Sequence, residues 1–333
     1  MIEVMYLNRR RLHCCDRLER YMKTTVSGTR KKTSTDKCRP GKDKWLYIML
    51  VPPLLYLLIF NYIPMFGTVI AFKDFNILKG IIGSEWIGFE NFRYLFQSQE
   101  FYQILRNSIL LSFYRLVWCF PVPIVLALFL NEIKGQTFKK SAQTILYLPY
   151  FISWVVLAGM ITQFLSPTEG IINYIIGFFG IKPIPFLQKP ECFRSIIVIS
   201  DVWKNSGWDT IIYLAAIAGI DQEMYEAAYI DGATRLQRLV KITLPGIMST
   251  IMVMLILRMG SVLKNGFEQI LLLYSPMTYE VADVFETYTY RIGVIGGRLG
   301  YSTAVGIFQS IVGFIMITTS NKLAKKFGES SLY

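Results

Sequence analysis

The chain has 333 residues, 53% hydrophobic and 15% aromatic, with only 17% charged, against about 25% charged in an ordinary soluble domain. That balance places it among membrane proteins, and its apolar runs leave no room for a soluble catalytic domain. The net charge of +12 is unevenly placed, since residues 1–44 alone carry thirteen Lys/Arg against five Asp/Glu.

This basic segment has few aromatics and no fold-forming pattern. It reads as a cytoplasmic tail rather than a nucleic-acid-binding arm. Residues 1–21 lack the apolar centre of a signal peptide. Met22 opens MKTTVSGTRKK and reads as the start of translation, which would put 1–21 upstream of it.

A membrane helix needs about 20 predominantly apolar residues. Six stretches meet this, at about 45–71, 107–130, 143–165, 195–219, 246–274 and 301–320. The spacing therefore predicts an all-α membrane protein, with a six-helix domain over 45–320 and a C-terminal tail over 321–333. The first span contains Pro52, Pro53 and Pro64, which membrane helices tolerate when neighbours satisfy the freed carbonyls. GIINYIIGFFGI, near residues 170–181, is apolar but too short to span and reads as re-entrant or interfacial. After the fifth span, Val281, Val284, Phe285 and Tyr288 fall at helical spacing and predict an amphipathic surface helix.

Lys and Arg concentrate in the N-terminal tail, at Lys134, Lys139 and Lys140, at Arg235, Arg238 and Lys241, and at Lys322, Lys325 and Lys326. The loops between are longer and poorer in bases. Both termini and the 221–245 segment are therefore predicted to be cytoplasmic. The one histidine, His13, and three of the five cysteines (Cys14, Cys15, Cys38) lie in the tail; Cys119 and Cys192 have no partner spacing. Histidine-dependent catalysis in the body and a cysteine metal cluster are excluded.

Between the fourth and fifth spans lies EAAYIDGATRLQRLVKITLP, Glu226 to Pro245. Asp221 can cap a helix whose first turn holds Glu223, running to about Ala233. Gly232 supplies a permissive turn position. Thr234 can cap a second short helix with an apolar face at Leu236, Leu239 and Val240, closed by Pro245. The paired alanines keep one face thin enough to seat in a groove of another protein.

Glu226-Ala227-Ala228, Asp231-Gly232-Ala233 and Ile242-Thr243-Leu244-Pro245 resemble the EAA loop of ABC importer permeases. Gly232 falls four residues after Ala228, and Ile242 ten after Gly232, as in that family's pattern. The resemblance covers about residues 42–333. Within it, FKDFN, GFENF, LYLPYFISW and GFEQILLLYSPMTYEVAD are similar to a branch of sugar permeases serving acidic or complex oligosaccharides. One departure is Ile220-Asp221, where relatives often have Ile-Pro. The resemblance implies a type I importer fold in the plasma membrane, working beside a second, homologous permease. It implies two ATP-binding subunits that hold ATP and Mg, and an extracellular solute-binding lipoprotein that delivers the sugar. Glu226 would carry the charge contact with the ATPase, and Gly232 the turn. The chain has no G-x-x-x-x-G-K-[ST] sequence, so it is not the ATP-hydrolysing subunit.

Polar residues recur inside the spans. Asp201, Asn205 and Asp209 fall at i, i+4 and i+8 in the fourth, with Lys204 and Trp208 beside them. Arg258, Ser261, Asn265, Glu268 and Gln269 form a stripe in the fifth. Two readings stand: a sugar path, or helix-internal ion pairs Asp201–Lys204 and Lys264–Glu268. Arg115 in the second span reads as structural. Two other function classes are a gradient-driven secondary transporter, which leaves the hairpin without a role, and a polytopic membrane enzyme, for which no catalytic constellation is visible.

Overall fold

The computed structural model describes residues 44–326. The basic tail, Met22, His13, Cys14, Cys15, Cys38 and the last seven residues lie outside them. The chain divides into two units between Met65 and Phe66. In the first, helix α1 (Lys44–Leu57) carries Pro52 and Pro53 and runs on through a π-turn, Leu58–Tyr62.

In the second unit, β1 (Lys73–Asp74) and β2 (Glu85–Trp86) make a small antiparallel pair. Helices follow: α2 (Glu90–Gln97), α3 (Gln99–Trp118), α4 (Pro121–Glu132), α5 (Gln136–Tyr147), α6 (Trp154–Phe164), α7 (Ile171–Gly177) and α8 (Pro190–Ala218). After them come α9 (Gln222–Ile230), α10 (Arg235–Arg238), α11 (Met248–Gly260), α12 (Phe267–Leu273), α13 (Tyr279–Ala282), α14 (Phe285–Thr289) and α15 (Leu299–Lys326).

Among the described residues, three helical stretches are long and apolar enough to cross a membrane: Tyr47–Phe72, Gln99–Glu132 and Leu299–Lys326. Two bent pairs raise the number to five. Helix α8, 29 residues long, is long enough but carries Arg194, Asp201, Lys204 and Asp209.

Three spans depart from the predicted ones. The stretch 143–165 is not one helix, because Gln136–Phe151 and Trp154–Phe164 meet at 98°. Ile152 and Ser153 are extended there, and the Ser153 hydroxyl accepts the Val156 N–H at 3.3 Å to restart the helix. Apolar content continues across this corner, so hydropathy does not reveal it. The stretch 246–274 is broken twice, by a 56° bend at Ile247 and by an unwound segment, 261–266, between α11 and α12. Helix α15 continues six residues beyond the predicted end at 320.

The predicted amphipathic surface helix is instead two short helices, α13 and α14, with Val284, Phe285 and Tyr288 buried. Phe285 and Tyr288 join Phe101, Leu263, Tyr301 and Val305 in one core cluster. Burial of large aromatics such as these holds α3, α14 and α15 together. The short apolar segment predicted not to span forms the seven-residue helix α7.

Candidate functional site

Two polar features stand out, the hairpin after α8 and a cavity walled by helices that precede and follow it in the chain. The hairpin forms as its local chemistry dictates. Asp221 is the N-cap of α9, and its Oδ1 accepts the Glu223 N–H at 3.0 Å. The helix stops at Ile230, three residues earlier than predicted. Gly232, at φ +75°, lets the Gly232 and Ala233 N–H groups reach back to the carbonyls of Tyr229 (3.1 Å) and Ala228 (2.9 Å). This double closure needs a left-handed residue, which glycine adopts without a Cβ penalty. Thr234 and Gln237 then form a reciprocal capping box: the Thr234 hydroxyl accepts the Gln237 N–H, and Gln237 Oε1 accepts the Thr234 N–H at 2.8 Å.

Pro245 does not close the second helix. A π-turn at Leu239–Thr243 precedes it, and the helical run continues to Gly246. Proline lacks an N–H and crowds the carbonyl four residues back, and a π-turn is one way to absorb that. The bend falls two residues later, at Ile247, which is fully buried with Ile251, Tyr213 and Ile217. Tyr225 Oη and Thr243 Oγ1, 2.9 Å apart, tie the two arms of the hairpin together. A Cβ on Gly246 would lie 2.7 Å from the Ile220 side chain, so the roots of both arms meet closely. Glu226, Ala227, Asp231, Gly232 and Pro245 are exposed; Ala228, Ala233, Ile242 and Leu244 are half-buried. Tyr229, Ile230 and Leu236 add exposed apolar surface around them.

The cavity, of about 360 Å³, is walled by α3, α6, α8, α11 and the unwound 261–266 segment. Asp201, Asn205, Asp209, Arg258, Ser261, Asn265 and Gln269 line it. Seven of the ten residues of the two predicted stripes are thus brought together. Lys204, Trp208 and Glu268 are not among its lining residues. Lys204 is buried and donates its ammonium to the carbonyls of Tyr150 (2.9 Å) and Ile152, while Trp208 stacks on Tyr150 with ring centroids 4.5 Å apart. These two residues hold the 98° corner. A methyl on Gly207 would sit 1.9 Å from the Leu146 carbonyl oxygen, so α8 and α5 cross in direct backbone contact there.

Neither helix-internal ion pair forms. Instead, charges pair between helices: Arg115 with Asp201 and Arg258 with Asp209, each at 3.9 Å. Arg115 also donates to Gln269 Oε1 at 2.5 Å, and Asn205 donates to Asp201 at 2.6 Å. Gln269 in turn donates to the Ile197 carbonyl and the Ser200 hydroxyl, both at 2.8 Å. Arg115, Ser112, Trp154 and Lys264 also line the cavity. Sequence reasoning set Arg115 aside, although an arginine at membrane depth is itself a signal.

Distant side chains hold the unwound backbone at three points. The Val262 carbonyl accepts from Ser112, and the Leu263 carbonyl from Gln309 at 2.8 Å. Glu286 Oε2 accepts the Asn265 N–H at 2.8 Å. Burial pushes the Glu286 carboxyl above its ordinary range, and the Asn265 N–H, the Arg115 and Lys264 charges and the Gly266 N–H pull it part-way back. Irregular backbone at membrane depth is tolerated where protein or a cavity supplies such partners.

Residues 105–327 match the family model described as binding-protein-dependent transport system inner membrane component. The chain belongs to this family. The permease is 46% identical over 292 residues to Protein LplB of Bacillus subtilis, covering 88% of this chain and 92% of that one. It is likewise 46% identical to the polygalacturonan/rhamnogalacturonan transport system permease protein YteP of the same organism, covering 88% and 91%. It matches a chain of the crystal structure of a bacterial ABC transporter involved in import of the acidic polysaccharide alginate, with TM-score 0.81, 44% identity, and 86% and 97% coverage. It is therefore a multi-pass inner-membrane permease of an ABC importer, a transport subunit rather than an enzyme.

Proposed function

We propose that this permease carries acidic oligosaccharides inward through the cavity between α3, α8 and α11, driven by ATP hydrolysis in separate subunits. The supporting relatives are named for polygalacturonan/rhamnogalacturonan transport and for alginate import. One of the similar structures is an alginate transporter in complex with an alginate pentasaccharide-bound periplasmic protein. On this reading, a solute-binding lipoprotein delivers the sugar from outside, and a second, homologous permease completes the pathway. Two ATP-binding subunits hold ATP and Mg.

The chain then crosses the lipid bilayer six times with both termini cytoplasmic, flanked by a basic N-terminal tail and a short C-terminal one. Helix α8 is the span that its charges hide from a hydropathy criterion. The hairpin is the coupling element. Glu226 meets the ATPase, Ala227 and Ala228 seat it, and the turn at Asp231–Ala233 with Ile242, Leu244 and Pro245 sets its shape.

The observation that carries this reading is the placement of α11. It runs from the bend at Ile247, at the root of the exposed hairpin, to Ser261, where the cavity wall unwinds. Thirteen residues of helix, about 20 Å at 1.5 Å per residue, join lever to pathway without an intervening loop. Proteoliposomes holding the two permeases and both ATPases test it. Uptake of a uronate oligosaccharide should require internal ATP and external binding protein and survive an ionophore. Uptake that collapses with the ion gradient and ignores ATP would refute it.

A further inference from the structure

We propose that Lys264 is a carboxylate receptor in the cavity wall, a subsite for the acidic group of a uronate sugar. The assignment rests on the oligosaccharide-import reading above and names a residue which that reading leaves out.

The charges around the cavity do not balance. Arg115 faces Asp201 and Arg258 faces Asp209, each pair at 3.9 Å. Lys264 lines the same cavity and is exposed. Among the described residues, no carboxylate oxygen lies within 4.0 Å of its ammonium. The nearest acids do not pair with it: Glu268 does not line the cavity, and Glu286, bonded to the Asn265 N–H at 2.8 Å, feels the Lys264 charge only from beyond ion-pair distance. Of the three cations lining the cavity, Lys264 is the one without an ion-pair partner. At membrane depth such a charge is costly unless water or a counter-ion meets it.

The position of Lys264 is fixed while its head is free. It sits in the unwound segment, whose backbone is held at Val262 by Ser112, at Leu263 by Gln309 and at Asn265 by Glu286. From that anchor a flexible four-carbon stem presents a compact charge with three donors, which accepts a carboxylate without demanding one orientation. A subsite that must pass its cargo on needs this rather than a bidentate arginine clamp. The surrounding lining fits a sugar: Ser261 and Asn205 offer hydrogen bonds to hydroxyls, and Trp154 offers an aromatic ring beside them.

The test is equilibrium dialysis of the complete complex in nanodiscs, without the binding protein. Two probes are compared, a uronate trisaccharide and its carboxyl-reduced, neutral counterpart. The native complex should favour the acid about tenfold, ~1.4 kcal/mol, with the preference shrinking as salt rises. Lys264→Gln should bring the ratio close to one while leaving the neutral affinity unchanged. Lys264→Arg should keep the preference and Lys264→Glu should invert it. A ratio unchanged in Lys264→Gln would overturn the assignment, as would equal losses for both probes, which mark a structural role. A native complex that binds neither probe would instead refute the oligosaccharide reading, and the subsite with it.

Discussion

Asp221 and Glu286 do the same chemical job in two different settings. Each carboxylate accepts a backbone N–H where a helix starts or stops, at 3.0 Å from Glu223 and 2.8 Å from Asn265. Asp221 is exposed and bonds two residues along the chain; Glu286 is partly buried and reaches back 21 residues. The hairpin as a whole is built like the first, from caps, a turn glycine and one Tyr225–Thr243 link. The cavity wall is built like the second, from bonds between distant segments such as Ser112 to Asn265 and Arg115 to Gln269. A self-contained hairpin can move as one piece. A wall bonded to distant segments moves when its supporting helices do. α11 connects the two.

The largest expected effect lies in the wall's scaffold. Gly207→Ala places a methyl against the Leu146 carbonyl, a backbone atom that cannot rotate away. Overpacking costs typically about 1–3 kcal/mol and sometimes more, so the yield of assembled complex should fall sharply on size-exclusion chromatography. Normal yield would mean that the α5–α8 crossing is looser than described.

Next comes the turn of the hairpin. A Cβ on Gly232 meets nothing within 4 Å, so only its φ of +75° demands glycine. Gly232→Val should abolish uptake while the complex still reaches the membrane. Gly232→Asn, which tolerates the left-handed region, should restore much of it. Equal loss in both variants would show that the site needs an absent side chain rather than a conformation.

The difference between the two carboxylates can itself be measured. Glu286→Ala leaves the Asn265 N–H without its acceptor and should cost about 1–3 kcal/mol. Asp221→Ala removes an exposed cap, which water partly replaces, and should cost about 1 kcal/mol or less. Thermal melts of the purified complex would rank them. Asp221 ranking above Glu286 would break the distinction between a local hairpin and a long-range wall.

The same distinction explains how much was legible beforehand. Asp221, Gly232 and Thr234 act within a few residues of themselves, so their roles follow from spacing alone. The predicted end of α9 falls three residues beyond the observed one because the reach of Ala233 back to Ala228 depends on Gly232 turning left-handed. In the wall, Asp201, Asn205 and Asp209 could be put on one face by period, but their partners could not be found that way. Arg115 lies 86 positions from Asp201, and nothing local marks the pair. Lys204 and Trp208 share the spacing of the lining residues, yet they turn to the 148–153 corner, which hydropathy does not register. The break at 261–266 is hidden for the same reason: beside short-range turns, the bonds that hold it open go to Ser112, Glu286 and Gln309.

On the proposed mechanism, the exposed hairpin transmits ATP hydrolysis to the cavity wall through α11. Glu226→Lys, assayed in the reconstituted complex, addresses it most directly, because Glu226 is exposed and makes none of the hydrogen bonds that shape the hairpin. The complex should assemble, but binding protein and sugar together should no longer stimulate ATP hydrolysis, and uptake should be lost. Stimulation and uptake at native rates would contradict the account.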